Sequence, residues 1–223
     1  MGDKILMNSK QPAKILIQCD FDGTITEEDV SFQLLDAFAQ GDWRQLHRDY
    51  EADRISVGRF NREAFAMVKA DRKSLLAEAR RTVKIRAGFQ QMVSCCRSKG
   101  FRLVIISNGL DFYIKAILQD LGLVDIEFFA ATTQFPPEGL RVQYLGPDGR
   151  HHDEGIKVAN VNLFFGQGYR VAYVGNGTSD FPAAKLCNYI FATDALLACC
   201  RQAKVDCSPF TDFNQIVKVL ESW

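Results

Sequence analysis

Five short apolar runs recur along the chain, and each is bounded by polar or turn-forming residues. They span residues 14–19, 102–107, 126–130, 170–175 and 189–192. Runs of this length that are apolar on both faces are typical of parallel strands covered by helices on both sides. The pattern therefore predicts a largely parallel sheet at the centre of the molecule.

Amphipathic helical patterns separate these runs. They span 86–99, 111–121, 156–165, 179–187, 194–204 and 212–222. Strands that alternate with helices of this length indicate a doubly wound α/β fold. A turn-forming tetrad, Gly146-Pro147-Asp148-Gly149, also predicts a hairpin that pairs 140–145 with 150–153.

One stretch, 29–83, breaks the alternation because its apolar residues follow helical spacing throughout. We expect an insertion of four helices between the first and second strands of the sheet. The predicted organisation is a flexible tail at 1–13, an α/β core formed by 14–28 and 84–223, and a small α-helical cap at 29–83.

Composition excludes some classes of partner. The 223 residues contain 27 Lys and Arg against 27 Asp and Glu, so the formal net charge is zero. We therefore expect no nucleic acid and no anionic membrane surface as partner, although a local basic pocket for a small anion stays compatible with this balance. The apolar runs are too short to span a membrane, and the N-terminal residues lack a signal-peptide pattern.

The cysteines point to a reducing compartment. There are seven of them, an odd number, and none forms a Cys-x-x-Cys pair. We interpret them as buried, reduced thiols rather than as metal ligands or redox centres. The predicted location is the cytoplasm.

Two carboxylates follow the first apolar run, in the segment Asp20-Phe21-Asp22-Gly23-Thr24. Because side chains alternate along a strand, Asp20 and Asp22 project to the same side of its carboxyl end. Carboxylates held this close repel each other and protonate partly unless a cation or a substrate stabilises them. The pair is therefore a candidate for function, and a surface turn of the Asp-x-Asp-Gly type is the alternative interpretation.

Three further segments fall at the same edge of the predicted sheet, where ligands bind in open α/β folds. The first is Ser107-Asn108-Gly109, whose hydroxyl and amides precede a helix and suit phosphate oxygens. The second is Lys157, near the start of a helix, which adds a positive charge.

The third segment runs from Gly175 to Asp180 and contains Asn176. Together with Asp20 and a backbone carbonyl, Asn176 and Asp180 would complete a site of oxygen ligands for Mg²⁺. The four segments together predict a phosphate group beside a carboxylate nucleophile, neutralised by lysine and a metal ion.

The sequence resembles the haloacid-dehalogenase-like (HAD-like) phosphatases, whose four motifs it matches in order and spacing. The matching segments are Asp20-Phe21-Asp22-Gly23-Thr24, Ser107-Asn108-Gly109, Lys157 and Gly175-Asn176-Gly177-Thr178-Ser179-Asp180. The helical insertion is similar to the cap of the phosphoserine-phosphatase branch. Within that branch the segments 19–26, 109–113 and 191–197 resemble the methionine-salvage phosphatases that act on a methylthio-keto-pentenyl phosphate.

The resemblance implies a Rossmann-like core and an aspartyl-phosphate mechanism. Asp20 would attack phosphorus in line. Asp22 would protonate the leaving oxygen and then activate the water that hydrolyses the intermediate, while Thr24 would hold the loop and Asp22 in place.

The same resemblance assigns the binding groups. Ser107, the Asn108 amide and Lys157 would stabilise charge on the phosphoryl group. Mg²⁺ would bridge Asp20, the Asp22 carbonyl and the fourth motif.

One position departs from the family pattern. The family usually places Asp where this chain has Asn176. An amide oxygen still ligates Mg²⁺, but the site loses one negative charge. This predicts weaker metal binding or a larger share of it carried by Asp180, and an inactive enzyme is the alternative.

The cap holds residues with two interpretations each. Asp29 lies where the phosphoserine branch carries an acidic residue that helps to bind substrate, but it also suits the start of the first cap helix. Arg54, Arg59 and Arg62 are candidates for binding a second anionic group, or they lie on a solvated helix face. None of them aligns with the cap arginine of the phosphoserine phosphatases.

Other cap residues and one flap are predicted to be mainly structural. The aromatic residues Phe32, Phe38, Trp43, Phe60 and Phe65 are expected mostly in the cap core, with one or two lining an apolar substrate pocket. His47 is predicted on a helix surface, and His151 and His152 on a surface flap rather than in a catalytic role.

The predicted function is a Mg²⁺-dependent phosphomonoesterase that hydrolyses a small phosphorylated metabolite. The methionine-salvage phosphate is the first candidate substrate, and phosphoserine or another small phosphate ester is the alternative. A phosphotransferase that passes the phosphoryl group to an alcohol, or a non-catalytic phosphometabolite-binding protein, are the further alternatives. The sequence is compatible with a monomer or a homodimer.

Overall fold

A mostly parallel sheet of seven strands forms the centre of the structure, a computed structural model in which residues 14–223 are described. The predicted tail at 1–13 lies outside the described residues. The strands are β1 (Lys14–Cys19), β2 (Arg102–Leu110), β3 (Glu127–Gln134), β4 (Arg141–Gln143), β5 (Tyr169–Gly175), β6 (Tyr189–Ala192) and β7 (Ser208–Pro209). Their order is β4-β3-β2-β1-β5-β6-β7, and β4 alone of these strands runs antiparallel to its neighbour.

The strand order places a topological switch at β1. Chain connections lead from β1 toward β2 on one side, whereas β5 pairs with β1 on the other. Crevices form at such points, outside the carboxyl ends of the strands. Alternate strand residues pack into different apolar clusters, Ile17 and Ile105 in one and Leu16 and Val104 in another, so both faces of the sheet are covered. The doubly wound α/β fold is thus confirmed.

Ten α-helices accompany the sheet in the described part of the chain. They are α1 (Val30–Phe38), α2 (Trp43–Glu51), α3 (Val57–Ala66), α4 (Arg72–Thr82), α5 (Phe89–Lys99), α6 (Asp111–Asp120), α7 (Ile156–Gly166), α8 (Phe181–Ala184), α9 (Asp194–Ala203) and α10 (Phe213–Leu220). None of these helices is long and apolar enough to cross a lipid bilayer.

The four helices α1 to α4 stand between β1 and α5, as the sequence predicts. Each begins after a residue whose side-chain oxygen accepts a hydrogen bond from a backbone amide of the first turn. These N-cap residues are Asp29, Asp42, Ser56 and Asp71. Local capping therefore defines where each inserted helix starts.

The two connections into and out of this helical insertion pair with each other. Thr26 and Ile85 form an isolated antiparallel bridge. The Glu27 amide donates to the Lys84 carbonyl at 2.9 Å, and the Arg86 amide donates to the Ile25 carbonyl at 2.8 Å. A short two-stranded ribbon thus joins the insertion to the core.

Several predicted boundaries are wrong. Strand β2 continues to Leu110, three residues beyond the predicted end, and β3 continues to Gln134. The helix predicted at 179–187 is instead a 3₁₀ turn, Thr178–Asp180, followed by the short α8. The Asp180 carboxylate accepts hydrogen bonds from the Asn176 and Gly177 amides, which tightens this turn. Strand β7 was not predicted, because two residues carry no periodicity.

The predicted hairpin is partly confirmed. The Gly149 amide donates to the Gly146 carbonyl at 2.9 Å, so the tetrad forms a turn, and Leu145 bridges His151 across it. The longer pairing is different, however, because β4 pairs with β3 rather than with 150–153. The extension of β3 beyond Ala130 supplies this partner.

All seven cysteines are free thiols, and Cys19, Cys96 and Cys200 are buried. Burial is the main reason that the pKa of the Cys96 thiol rises to about 12. Such a thiol stays protonated and behaves as a small apolar side chain.

Candidate active site

A buried lysine lies between two carboxylates at the carboxyl end of β1. Lys157 Nζ lies 2.9 Å from Asp20 Oδ1 and 2.5 Å from Asp180 Oδ1. The side chains of Lys157, Asp20 and Asp180 are only 4%, 8% and 0% exposed. Charges this inaccessible are stable only when paired and hydrogen-bonded. The cluster therefore joins three segments that are far apart in the sequence.

Burial perturbs both kinds of charge in this cluster. It raises the pKa of Asp20 to about 7, with a further contribution from the Asp180 charge that Lys157 only partly offsets. Burial opposes the charge on Lys157, but the Asp180 and Asp20 carboxylates outweigh it and raise the pKa of the lysine well above its usual value. The ionised trio of Lys157 and two carboxylates has a net charge of −1, which favours a further cation.

Asp180 is saturated with hydrogen bonds. Its Oδ1 accepts from the Tyr173 hydroxyl at 2.7 Å as well as from Lys157, and its Oδ2 accepts from the backbone amides of Asn176 and Gly177 at 3.1 and 2.8 Å. The carboxylate thus orders the loop after β5 and positions the lysine.

Lys157 has a second support in the sheet. Gln18, which is fully buried on β1, donates from Nε2 to the Lys157 main-chain carbonyl at 3.1 Å. This bond ties the start of α7 to the central strand.

Asp22 lies two residues beyond Asp20 and has its own partners. Its Oδ1 accepts from the Val30 amide at 3.1 Å, and its Oδ2 accepts from the Tyr113 hydroxyl at 2.5 Å and, weakly, from Ser107 Oγ at 3.5 Å. Burial, followed by the nearby charge of Asp29, raises the pKa of Asp22 to about 8. Asp22 therefore holds a proton at neutral pH in the absence of a cation.

The segment Ser107-Asn108-Gly109 belongs to the irregular end of β2 and not to the helix that follows, which begins at Asp111. The Gly109 amide donates to Ser107 Oγ at 2.9 Å. A side chain at Gly109 would collide with the Tyr113 hydroxyl and with Asp22, at 2.0 and 2.2 Å from the added carbon. The close packing around the Asp22 carboxylate thus requires glycine here.

Two residues from other parts of the chain hold the segment Ser107-Asn108-Gly109 in place, and neither was predicted from the sequence. The Asn108 carbonyl accepts from Asn61 Nδ2 at 3.1 Å and from the Tyr144 hydroxyl. Asn61 lies on α3 and Tyr144 just after β4, and both are buried. Asn61 is far from the segment in sequence, and an isolated Asn or Tyr gives no signal without knowledge of the fold.

The loop after Asp22 is fixed against the fourth motif. Thr24 Oγ1 donates to Asn176 Oδ1 at 2.9 Å. Gly23 has φ +71°, and an added side-chain carbon would lie 2.2 Å from Asn176 Nδ2. Arg86, also missed from the sequence, donates from its guanidinium to the Gly23 and Thr24 carbonyls at 2.7 and 2.8 Å.

The oxygen atoms available to a cation are few. Within residues 14–223 no group of three His, Cys, Asp or Glu side chains is arranged to hold a metal ion. Asp20, Asp22 and Asn176 nevertheless line one cavity. A carboxylate, a main-chain carbonyl and an amide oxygen are ligands that fit Mg²⁺.

This cavity has a volume of about 380 Å³ and lies between the sheet edge and the inserted helices. The predicted residues Asp20, Asp22, Ser107, Asn108, Gly109, Lys157 and Asn176 all line it, together with Asp29. Thr24 and Asp180 are buried behind it. The structure therefore brings the predicted site residues together.

Asp29 meets the helix-start interpretation, because its Oδ1 accepts from the Phe32 amide at 2.9 Å. Its carboxylate also lines the cavity, and burial raises its pKa to about 6. The role of Asp29 as the N-cap of α1 is observed, whereas its role in binding substrate stays a prediction.

The three cap arginines point to acidic partners rather than into the cavity. Arg54 pairs with Asp49, Arg59 with Glu63 and Arg62 with Asp153. All three side chains are more than two-fifths exposed. The solvated-face interpretation is therefore confirmed.

His47 is partly buried and faces the cavity rather than an open helix surface, contrary to the prediction. Its ring lies 4.8 Å from that of Phe32 and 5.5 Å from that of Phe60, and it lines the cavity. Helical spacing alone does not distinguish a residue that faces solvent from one that faces a crevice beneath the helix. His151 and His152 stay on the flap, beside Gln143 and Asp148.

This fold and this arrangement of motifs define a class of protein. The chain belongs to the haloacid dehalogenase-like hydrolases, whose family model matches residues 17–185.

Particular relatives are similar along nearly the whole chain. A protein of Geobacillus kaustophilus (strain HTA426), named 2-hydroxy-3-keto-5-methylthiopentenyl-1-phosphate phosphatase, is 30% identical over 214 residues, which cover 93% of this chain and 96% of the relative. A protein of the same name from Geobacillus thermodenitrificans (strain NG80-2) gives the same identity and coverage.

A solved structure described as a phospho-aspartyl intermediate analogue of phosphoserine phosphatase superposes with a TM-score of 0.68 at 18% identity. It covers 93% of this chain and 99% of the other. At this identity the likeness bears on the fold alone.

Proposed function

We propose that this protein is a Mg²⁺-dependent phosphomonoesterase that acts through an aspartyl-phosphate. One observation carries the proposal: Asp20 opens onto a cavity at the sheet edge while Lys157 contacts the same carboxylate at 2.9 Å. A nucleophile and a fixed positive charge thus lie side by side where a phosphoryl group would bind.

In the proposed reaction Asp20 Oδ attacks phosphorus and the ester oxygen leaves. Asp22 supplies the proton for that oxygen, and the burial that raises its pKa favours the protonated form needed for this step. The deprotonated Asp22 then takes a proton from the water that attacks the aspartyl-phosphate, which releases inorganic phosphate and restores Asp20. Tyr113 and the Val30 amide orient the carboxylate during both steps.

The negative charge of the phosphoryl group has three partners in this proposal. Lys157 Nζ lies beside the nucleophile, Ser107 Oγ is adjacent to Asp22, and the backbone amide of Asn108 lies at the irregular end of β2. Donors fixed in advance stabilise the transition state without reorganisation. Thr24 acts indirectly, through its bond to Asn176.

The Asp20 carboxylate, the Asp22 carbonyl and the Asn176 amide oxygen would hold Mg²⁺, which when bound neutralises phosphate and carboxylate charge. Asp180 differs from these donors, because each of its oxygens already accepts two hydrogen bonds, whereas the Asn176 amide oxygen accepts one. We therefore assign Asp180 to positioning Lys157 and the loop of Asn176 rather than to direct ligation.

The proposed substrate is an enol phosphate with a methylthio tail. Its support is the name shared by two relatives that are 30% identical over 93% of this chain. We also propose that α1 to α4 form a cap that moves on the ribbon around Thr26 and Ile85, admits substrate and then excludes water. The seven free thiols support a cytoplasmic location.

Phosphate release from a panel of phosphate esters, with and without Mg²⁺, tests this function. The panel includes the methylthio-keto-pentenyl phosphate, phosphoserine and an aryl phosphate. Turnover that is lost with a chelator and falls at least about 10³-fold in Asp20→Asn is the expected result. A folded, Mg²⁺-loaded protein that binds phosphate esters and releases no phosphate would contradict the proposal, and transfer to added glycerol in preference to water would identify a phosphotransferase.

A further inference from the structure

The wall of the cavity formed by the cap helices is aromatic. Phe32 of α1 lies 4.8 Å from the His47 ring and 6.3 Å from the Phe60 ring, and Tyr50 stacks on Phe60 at 5.9 Å. All four rings line the cavity. They lie on three different helices, so their proximity arises from the packing of the cap.

Positive charge is confined to the other wall. Among the described residues that line the cavity, Lys157 is the single Lys or Arg side chain, and two carboxylates already pair with it. The three cap arginines, as shown above, pair with acidic residues outside. A carboxylate on the substrate tail would therefore be desolvated without a Lys or Arg partner, which lowers the affinity for such a substrate.

Carboxylates also border the aromatic wall, but each has another role or lies in solvent. Asp29 caps α1, Glu28 accepts from Gln33 at 2.7 Å, and Glu51 lies 3.7 Å from His47 Nδ1. Glu27 and Glu28 are exposed. These groups repel an anionic tail and leave the space between the rings suited to an uncharged one.

We propose that Phe32, His47, Tyr50 and Phe60 form a tail subsite that selects phosphate esters with an uncharged apolar tail, such as a thioether, against esters with a carboxylate tail. The inference rests on the proposed function for its reaction and adds what chooses the substrate. It disfavours the phosphoserine alternative, because the subsite offers no Lys or Arg partner for the serine carboxylate.

Four esters that differ only in the tail test the selectivity: methyl phosphate, 3-(methylthio)propyl phosphate, phosphoglycolate and phosphocholine. We expect kcat/KM for the thioether ester to exceed each of the other three by at least about tenfold, since apolar contacts of this size discriminate by that amount. Equal values for the thioether ester and phosphoglycolate would overturn the subsite, and so would a preference for phosphocholine, which would indicate a cation-binding cage.

The variant Phe32→Ala tests whether the aromatic wall causes this selectivity, and Phe38→Ala is its control. Phe38 ends the same helix and packs partly buried in the cap without lining the cavity. Phe32→Ala should reduce the ratio of kcat/KM for thioether ester to methyl phosphate about tenfold, whereas Phe38→Ala should leave it unchanged. An unchanged ratio in Phe32→Ala, or an equal loss in both variants, would overturn the assignment.

A substitution that should increase activity toward one ester provides a second test, because misfolding cannot produce such an increase. Val57, at the first position of α3, lines the cavity beside the rings. Val57→Lys should raise kcat/KM for phosphoglycolate relative to the thioether ester at least about fivefold, because it supplies the missing cation. No gain in a folded Val57→Lys protein would contradict the charge argument.

Binding separates this inference from the proposed function. Calorimetric titration with methylphosphonate and 3-(methylthio)propylphosphonate, which are not hydrolysed, should give at least about tenfold tighter binding of the thioether compound. Selective binding without turnover of any ester would overturn the phosphatase proposal and uphold the subsite. Turnover without selective binding would uphold the phosphatase proposal and overturn the subsite.

Discussion

The cavity has two walls that differ in how their residues are held. The core wall contains Asp20, Asp22, Ser107, Lys157 and Asn176, and the cap wall contains Phe32, His47, Tyr50 and Phe60. On the core wall the charged groups are almost inaccessible and each has several partners, as Lys157 and Asp180 illustrate. On the cap wall the aromatic residues contact one another through their faces and edges, and His47 and Phe32 are only half-buried. Hydrogen-bonded charges fix geometry closely, whereas apolar contacts tolerate exchange. The core wall thus holds its side chains in one arrangement, whereas the cap wall leaves more room for its side chains to be exchanged.

Breaking the lysine cluster should have the largest effect. Lys157→Met leaves Asp20 and Asp180 buried without their cation, so we expect a loss of about 3 kcal/mol in the free energy of unfolding. Turnover should fall at least about 10³-fold because the phosphoryl group loses its fixed positive charge. Urea unfolding and phosphate release measure the two effects.

A surface ion pair provides the control. Arg62→Met removes the partner of Asp153, and both side chains of that pair are about half exposed. The free energy of unfolding should change by less than about 1 kcal/mol. Equal losses of stability in Lys157→Met and Arg62→Met would show that the buried lysine cluster contributes no more to folding than a surface ion pair.

The protonation of Asp22 predicts how stability depends on pH. Its pKa is raised from 3.8 to about 8 in the folded protein, so the native state retains a proton between these values that the unfolded chain releases. The stability of the metal-free protein should therefore fall as pH rises from about 4 to 8. The raised pKa values of Asp20 and Asp29 act in the same direction.

Asp22→Asn cannot ionise and should reduce this slope. In chelator at pH 8 we expect the variant to be more stable than the parent by about 2 kcal/mol, although its turnover is lost. Urea unfolding at pH 5 and pH 8 measures the difference. A parent protein whose stability rises over this interval would show that Asp22 is ionised in the folded state.

The sequence carried more information about the core wall than about the cap wall. Asp20, Asp22, Lys157 and Asn176 follow strands or begin helices, and the topology of a parallel sheet brings such positions to one edge. That rule does not depend on the details of packing. The predicted site residues on this wall therefore lie where they were expected.

The cap wall depends on packing between helices, which periodicity does not specify. Four helices were predicted and are present, but the spacing of His47 is equally compatible with a solvent face and with the cavity. Asn61 and Tyr144 are brought together across 83 residues of sequence. Tyr113 lay within a segment that resembles the family, yet its contact with Asp22 spans 91 residues. Contacts of this kind follow from the fold and not from any local pattern.

Restoring a carboxylate on the core wall should change metal affinity moderately. Asn176→Asp adds a negative charge next to Asp20, and we expect the Mg²⁺ concentration for half-maximal turnover to fall about tenfold. Calorimetric Mg²⁺ titration checks the binding directly. In chelator the same variant should be less stable than the parent, because the added charge is not neutralised.

The control for this prediction is Asp194→Asn, at a residue that also lines the cavity but lies outside the proposed metal ligands. It should leave the Mg²⁺ affinity within about twofold of the parent. If Asn176→Asp gives no gain in Mg²⁺ affinity, the amide oxygen is not a ligand and the metal site must be assigned to other atoms.

The smallest expected effect concerns the place where the two walls meet. Tyr144→Phe removes the hydroxyl that donates to the Asn108 carbonyl, while the Asn61 amide still donates to it at 3.1 Å. We expect a loss of about 1 kcal/mol in stability and a few-fold rise in KM, with a smaller change in kcat. Tyr189→Phe loses a comparable bond, to Ser208 at 2.7 Å, but remote from the cavity, and should lower stability without changing KM. If both variants leave KM unchanged, the Tyr144 bond holds the fold together but does not orient the segment Ser107-Asn108-Gly109, and the two walls act independently.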